Sequence, residues 1–213
     1  SEWWETIAQD LRHTLRGLAR SPGFTVMVIV TLALGIGANA AVFSLLNRLF
    51  LATPAGVTHP EDVRRVSLTE HSPNRPAPYT RSAFNYPEFR SVAAALPSSV
   101  HVAGAVPREE RIGRSADAPR REVDFTVGDY FGVLGLHPAI GRFFSGAETG
   151  IVGRTPVAVI SHRLWMAQFA GTQDVLGQPL DLGPHRYAIV GVAPEGFAGD
   201  GLDAVDVWVP FNT

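Results

Sequence analysis

Residues 24–51, FTVMVIVTLALGIGANAAVFSLLNRLFL, govern the reading of the whole chain. No charged side chain occurs between Ser21 and Asn47. A bilayer core about 30 Å thick is crossed by about 20 mostly apolar residues in a helix. A lone spanning segment must be helical, because only then does its backbone satisfy its own hydrogen bonds away from water. The stretch predicts one transmembrane helix over 24–51.

Three other readings compete for these residues. Ala38-Asn39-Ala40 fits the small-x-small cleavage site of a signal peptide, but the apolar run continues beyond it through Val42, Phe43, Leu45 and Leu46. Gly35-Ile36-Gly37-Ala38-Asn39-Ala40 fits the glycine turn of a dinucleotide-binding fold. That motif needs a second strand ending in an acid about 20 residues on, where this chain offers Thr53-Pro54-Ala55-Gly56. A helix buried in a soluble core is the third.

Ala33, Gly37, Ala41 and Ser44 recur at intervals of four and three, a strip of small residues on one helical face. Such strips let helices approach closely in lipid, where packing drives association. Asn47 extends the strip and Asn39 lies off it; both amides call for partners. The strip implies partner helices beyond this chain, although small residues also occur in spanning helices without that role.

Upstream, residues 1–20 read as an amphipathic helix. Trp4, Ile7, Leu11, Leu15 and Leu18 form its apolar stripe. Acids come in its first half and Arg12, Arg16 and Arg20 in its second, an order that suits the helix dipole. Pro22-Gly23 is expected to break it before the span. With Trp3, Trp4 and the arginines, this helix reads as lying in the lipid interface; packing on a soluble partner is the plainer alternative. Arginines near the span number three on each side, Arg12, Arg16 and Arg20 against Arg48, Arg64 and Arg65. Their proximity and the interfacial helix favour a cytoplasmic N-terminus with residues 52–213 exported.

Composition removes several functions. The chain has 213 residues, no cysteine and, among 18 basic residues, no lysine. A Walker A loop and a Schiff-base lysine are therefore excluded, as are disulfides and cysteine-based metal sites. With three acids and four arginines in the first 51 residues, the remainder carries 17 acids against 14 arginines. That balance speaks against a nucleic-acid partner. Seven histidines show no metal-ligand spacing, no G-x-S-x-G turn exists, and Glu61-Asp62 and Glu109-Glu110 read as solvated surface. The loop Gly196-Phe197-Ala198-Gly199-Asp200-Gly201 can cradle an anion in principle, but the ordinary reading is a connection. No catalytic residue, cofactor or metal site is expected.

The exported part reads as mixed α and β. Strands are expected at 63–70, 100–106, 109–114 and 121–127, with a short helix capped by Asn85 that runs to about Leu96. A second short helix is placed near 129–134. A second block holds a buried strand at 157–160, a helix at 162–169 capped by Ser161, a hairpin of 176–182 and 186–192 around Gly183-Pro184, and a last strand at 206–211 carrying Trp208.

These residues resemble a known family. Leu34-Gly35-Ile36-Gly37-Ala38-Asn39 with Phe43-Ser44 is similar to the first spanning helix of MacB/FtsX-like ABC transporter permeases. Asp10-Leu11-Arg12 and Arg20-Ser21-Pro22-Gly23-Phe24 resemble the long-leader members, the duplicated orphan permeases. Asp129-Tyr130-Phe131, Leu134-Gly135-Leu136, Pro138 and Gly141-Arg142-Phe143 resemble the MacB-like periplasmic core domain. So do Val159-Ile160-Ser161, Leu164-Trp165, Val190-Gly191-Val192-Ala193-Pro194, Gly196-Phe197 and Asp206-Val207-Trp208-Val209-Pro210. Each piece is weak alone; their order and spacing make the likeness specific.

The resemblance implies an α+β periplasmic domain preceded by an amphipathic helix and one transmembrane helix. A porter-like α/β lobe at about 60–145 carries an inserted mixed lobe at about 150–213. It implies the N-terminal part of a bacterial inner-membrane permease, for substrate export or mechanotransmission. The partners implied are membrane lipid, the remaining permease helices, a separate ATPase subunit and a second copy in a full-length dimer. The rival reading is a single-pass anchored sensor or binding module, which needs no strip of small residues.

Overall fold

The computed structural model describes residues 3, 21–46, 54–71, 77–115, 117–149 and 156–211. The chain divides into two compact units, residues 1–52 and 53–213. In the first unit, helix α1 spans Pro22–Leu46. Pro22-Gly23 opens this helix, with Ser21 non-helical just ahead of it, and the leader helix expected over 1–20 falls almost wholly outside the described residues. Proline suits a first helical turn, since the N–H it lacks would have no partner there. Residues 47–51, the expected end of the span, lie outside the described residues.

The second unit is built on one seven-stranded mixed sheet, β3-β4-β9-β6-β8-β5 with β7 beside β8. Its strands are β3 (Ala103–Arg111), β4 (Arg120–Gly128), β5 (Ile140–Gly141), β6 (Val157–Ile160), β7 (Pro179–Leu182), β8 (His185–Val192) and β9 (Val207–Pro210). A separate two-stranded ribbon pairs β1 (Leu68–Glu70) with β2 (Tyr79–Arg81). Around them lie α2 (Tyr86–Ala95), α3 (Tyr130–Val133), α4 (Gly146–Thr149), α5 (His162–Phe169) and a 3-10 turn at Gln173–Val175. β4 pairs in parallel with β9, so strands from about 60–145 and from 150–213 share one hydrogen-bonded sheet.

Local chemistry sets these elements. Asn85 caps α2 in a capping box with Glu88, which also takes two bonds from Arg81, at 3.0 and 2.6 Å. Ser161 caps α5 by accepting the Leu164 N–H at 3.0 Å. β6 and β9 are buried along their whole length, as central strands covered on both faces must be. Alternation then divides their side chains between two cores. Ala158, Ile160, Val207 and Val209 join one with Leu164, Val175 and Ile189; Val157, Val159 and Trp208 join the other with Tyr130, Phe131 and Phe144.

Several boundaries differ from the sequence expectations. The two strands expected at 100–106 and 109–114 are one continuous β3, which carries Pro107. β3 is an edge strand, paired only with β4 in the sheet order, where a missing N–H is tolerated. The strand expected from 63 shortens to Leu68–Glu70. β2, β5 and α4 arise where loops were expected. Gly141 and Gly191 face each other across β5 and β8. Gly141 has φ +73°, and a Cβ on Gly191 would collide with the Arg142 carbonyl.

Asp206 ties the sheet to α5. Its backbone accepts from Ser161 N–H at 2.8 Å and donates to Glu122 O at 2.9 Å. Its carboxylate, almost wholly buried, accepts from Ser161 Oγ at 3.1 Å and from Arg163 Nη2 at 2.8 Å, with Arg121 at 3.7 Å. Asp206→Ala is therefore expected to lower the stability of the domain by about 3 kcal/mol, because three donors lose a buried acceptor. Unfolding of the full chain in detergent, followed by near-ultraviolet circular dichroism, measures this. Glu109→Ala, whose ion pair with Arg120 is exposed at both ends, should leave the transition unmoved.

Candidate functional site

The first candidate site is the apolar helix. Pro22–Ser44 is long and apolar enough to cross a membrane. At 1.5 Å per residue, the 25 residues of α1 extend for about 37 Å, enough for a hydrocarbon core of about 30 Å. Three of its polar side chains bond within the helix. Thr25 and Thr31 donate to the carbonyls of Ser21 and Met27 at 3.1 and 2.8 Å, and Asn39 donates to Gly35 O at 3.1 Å. The partner that the Asn39 amide requires is thus four residues back on its own helix; Asn47 is outside the described residues.

Ala33, Gly37, Ala41 and Ser44 are all exposed on α1. Val30, Ala33, Leu34, Gly37 and Ala38 line a shallow apolar groove along the helix. Ala41 and Ser44 continue that face one and two turns further on. A Cβ added to Gly37 would meet nothing within 4 Å. Of the expected interfacial residues, Trp3 is helical and exposed. Trp4, Arg12, Arg16 and Arg20 lie outside the described residues.

The second candidate is a cluster of acids that sequence reasoning missed. Asp124, in the middle of β4, is 4% exposed and lies on the face of the second core. Tyr130, on α3, donates its hydroxyl to Asp200 Oδ1 at 2.7 Å. Asp200 belongs to the glycine loop that follows β8; it is exposed, and one of its carboxylate oxygens takes the Tyr130 hydroxyl. Burial above all, with repulsion from Asp200 and Glu122, pushes the Asp124 carboxyl up to about 7. Trp208 Nε1 slightly favours the ionised carboxyl, yet makes no hydrogen bond of normal geometry. Burial and then Asp200 push the Tyr130 phenol upward as well.

Sequence carried no usable signal for this cluster. Asp124 stands between Val123 and Phe125, an alternation that ordinarily puts the acid in water. Only the burial of the sheet on both faces turns it inward. A third grouping, His59, Glu61 and Asp62, brings ligand atoms within 4.8 Å of one another. All three are exposed, and His59 Nδ1 lies 3.3 Å from Glu61 Oε1. The expectation of no converging metal ligands did not foresee this turn.

Comparison with known proteins bears on the whole chain. Curated proteins give no significant match. Among solved structures, the extracellular domain of the noncanonic ABC-type transporter YknZ from Gram-positive bacteria is 19% identical, with a TM-score of 0.42 over 52% of this chain and 54% of that one. The periplasmic region of MacB from Actinobacillus actinomycetemcomitans is 16% identical, with a TM-score of 0.45 over 58% of this chain and 55% of that one. A domain of a permease protein from Porphyromonas gingivalis is 13% identical, with a TM-score of 0.46 over 68% and 60%. The chain thus spans 54–60% of the length of these structures. The model of the MacB-like periplasmic core domain matches residues 25–213, from the first turn of α1 through β9, and the chain belongs to that family.

Proposed function

We propose that this chain is the N-terminal part of an ABC transporter permease, with residues 1–20 on the cytoplasmic face and 52–213 outside it. The observation that carries the reading is the extent of the family match. It begins at residue 25, inside the apolar helix, and runs unbroken through the domain. Helix and domain therefore belong to one unit of descent, as a membrane-anchored permease requires. In this reading the domain, with a porter-like lobe at about 60–145 and a second at about 150–213, handles substrate or transmits force. Without lysine these 213 residues hold no Walker A loop; in this reading a separate ATPase supplies the energy, and the complete permease works as a dimer.

Trp3, Trp4, Arg12, Arg16 and Arg20 hold the leader helix at the lipid interface. Ala33, Gly37, Ala41 and Ser44 receive another helix of the permease. Nothing among the described residues lies within 4 Å of a Cβ at Gly37, so in this reading a cost of enlarging it comes from a partner.

Two experiments test the reading. Alkaline phosphatase fused after Thr213 should be active, and a Sec-exported fluorescent protein at the same point dark; the reverse pattern inverts the topology. A product beginning at Ala41 would establish cleavage instead of anchoring. In the full-length permease, Gly37→Leu should leave insertion unchanged or improved, by about 0.5 kcal/mol on the insertion scale for leucine, while weakening crosslinks to later helices and lowering transport. Unaltered crosslinking and transport would place the strip against lipid and make the span a simple anchor.

A further inference from the structure

Asp124 is a buried carboxyl group with no counter-ion among the described residues. The titratable groups that face it are two acids and a phenol: Glu122 on its own strand, Asp200 on the glycine loop and Tyr130 on α3. Its register partners on the flanking strands, Pro107 of β3 and Trp208 of β9, carry no charge. Arg108, the nearest basic residue along β3, lies over the Phe125 ring, and Phe125 packs against the other core. No cation among the described residues hydrogen-bonds to Asp124.

The loop of residues 196–203 closes over this carboxyl. Phe197 stacks on Trp208 with ring centroids 5.3 Å apart, Asp200 accepts from Tyr130, and Val205 N–H donates to Ala198 O at 2.9 Å. Gly199 has φ +100° and is buried. A Cβ there would lie 2.9 Å from Val205 Cγ2 and 3.9 Å from Asp124 Oδ2, so the loop backbone runs against the acid. Beneath it, Trp208 Nε1 is buried without an acceptor.

We propose that Asp124 is a proton-operated latch: when protonated it lets the loop of residues 196–203 lie closed over Trp208, and when ionised it faces the Asp200 carboxylate and releases the loop. The chemistry is one deprotonation. The O–H bond of the Asp124 carboxyl breaks and the proton passes to solvent, while Tyr130 keeps its own. The charge left behind is relieved by moving Asp200 away and by drawing in the indole N–H of Trp208. Neither relief requires the transport reading, and the latch stands or falls without it.

Burial, with Asp200 and Glu122 adding repulsion, sets the changeover at about 7. This carboxyl binds its proton more tightly folded than unfolded. Its stabilising contribution is therefore complete below the ordinary aspartate range, about pH 4. It is lost as the pH rises through about 7 and is constant above that.

Hydrogen exchange of the full chain in detergent tests the latch, with rates corrected for the intrinsic effect of pH. Between about pH 5.5 and about pH 8.5, amides of residues 197–205 should lose protection on the order of tenfold, while those of β6 keep theirs. Asp124→Asn should abolish the change and hold the loop protected throughout. Asp200→Asn keeps an acceptor for Tyr130 and removes the repulsion, so it should shrink the response even if the first variant folds poorly. A pH response that survives both substitutions overturns the proposal. So does its absence from the unsubstituted chain, or loss of β6 protection in step with the loop.

Discussion

The central strands β6 and β9 have no solvent face. Once β9 lies in parallel register against β4 and antiparallel against β6, each of its residues must fit one of two closed cores. Val207 and Val209 enter the core under α5, and Trp208 enters the other. This two-sided burial makes the neighbouring elements obligatory. α5 must cover one face, α3 and the loop of residues 196–203 the other, and no strand between them can carry an unpartnered polar group without cost.

Two aspartates measure that cost. Asp206 and Asp124 are almost equally buried, yet their surroundings are opposite. Asp206 sits where β9 begins, and it has Arg163, Arg121 and the Ser161 hydroxyl around it. It couples the strand to the cap of α5. Asp124 sits one strand away among Asp200, Glu122 and an indole that makes no bond. Keeping it ionised in the folded domain costs on the order of 4 kcal/mol, from the rise of its ionisation to about 7. Whole domains are stable by about 5–15 kcal/mol. A penalty of that size is best relieved locally, by a loop that can move, and not across the whole domain.

Much of the fold was legible because local chemistry and burial agreed. Asn85 and Ser161 announced their helices and formed the expected caps, and the apolar runs at β6 and β9 appeared as central strands. The misses have physical causes. β3 reads as two strands because Pro107 and a run of charges interrupt its apolar pattern, and only the edge position permits both. β5 is two residues long and depends on Gly141 and Gly191 approaching face to face, a contact between segments distant in sequence. The acid cluster was illegible for the same reason. Asp124, Tyr130 and Asp200 come from three separate segments, and nothing in any one of them reveals that the other two are near.

The helix and the domain satisfy their polar groups by different means, and that difference bears on what each still needs. In the domain, distant segments supply partners: Tyr130 finds Asp200, and Asp206 finds Arg163. In α1 the partners are four residues back, as Asn39 with Gly35 and Thr31 with Met27. These side chains find their acceptors on the helix itself and need no second helix for those bonds. Those bonds do not explain Gly37, which costs about 1 kcal/mol relative to alanine in a helix interior and helps line the apolar groove of α1. On the proposed reading the gain is one of shape, which matters only to a surface that packs closely against the glycine.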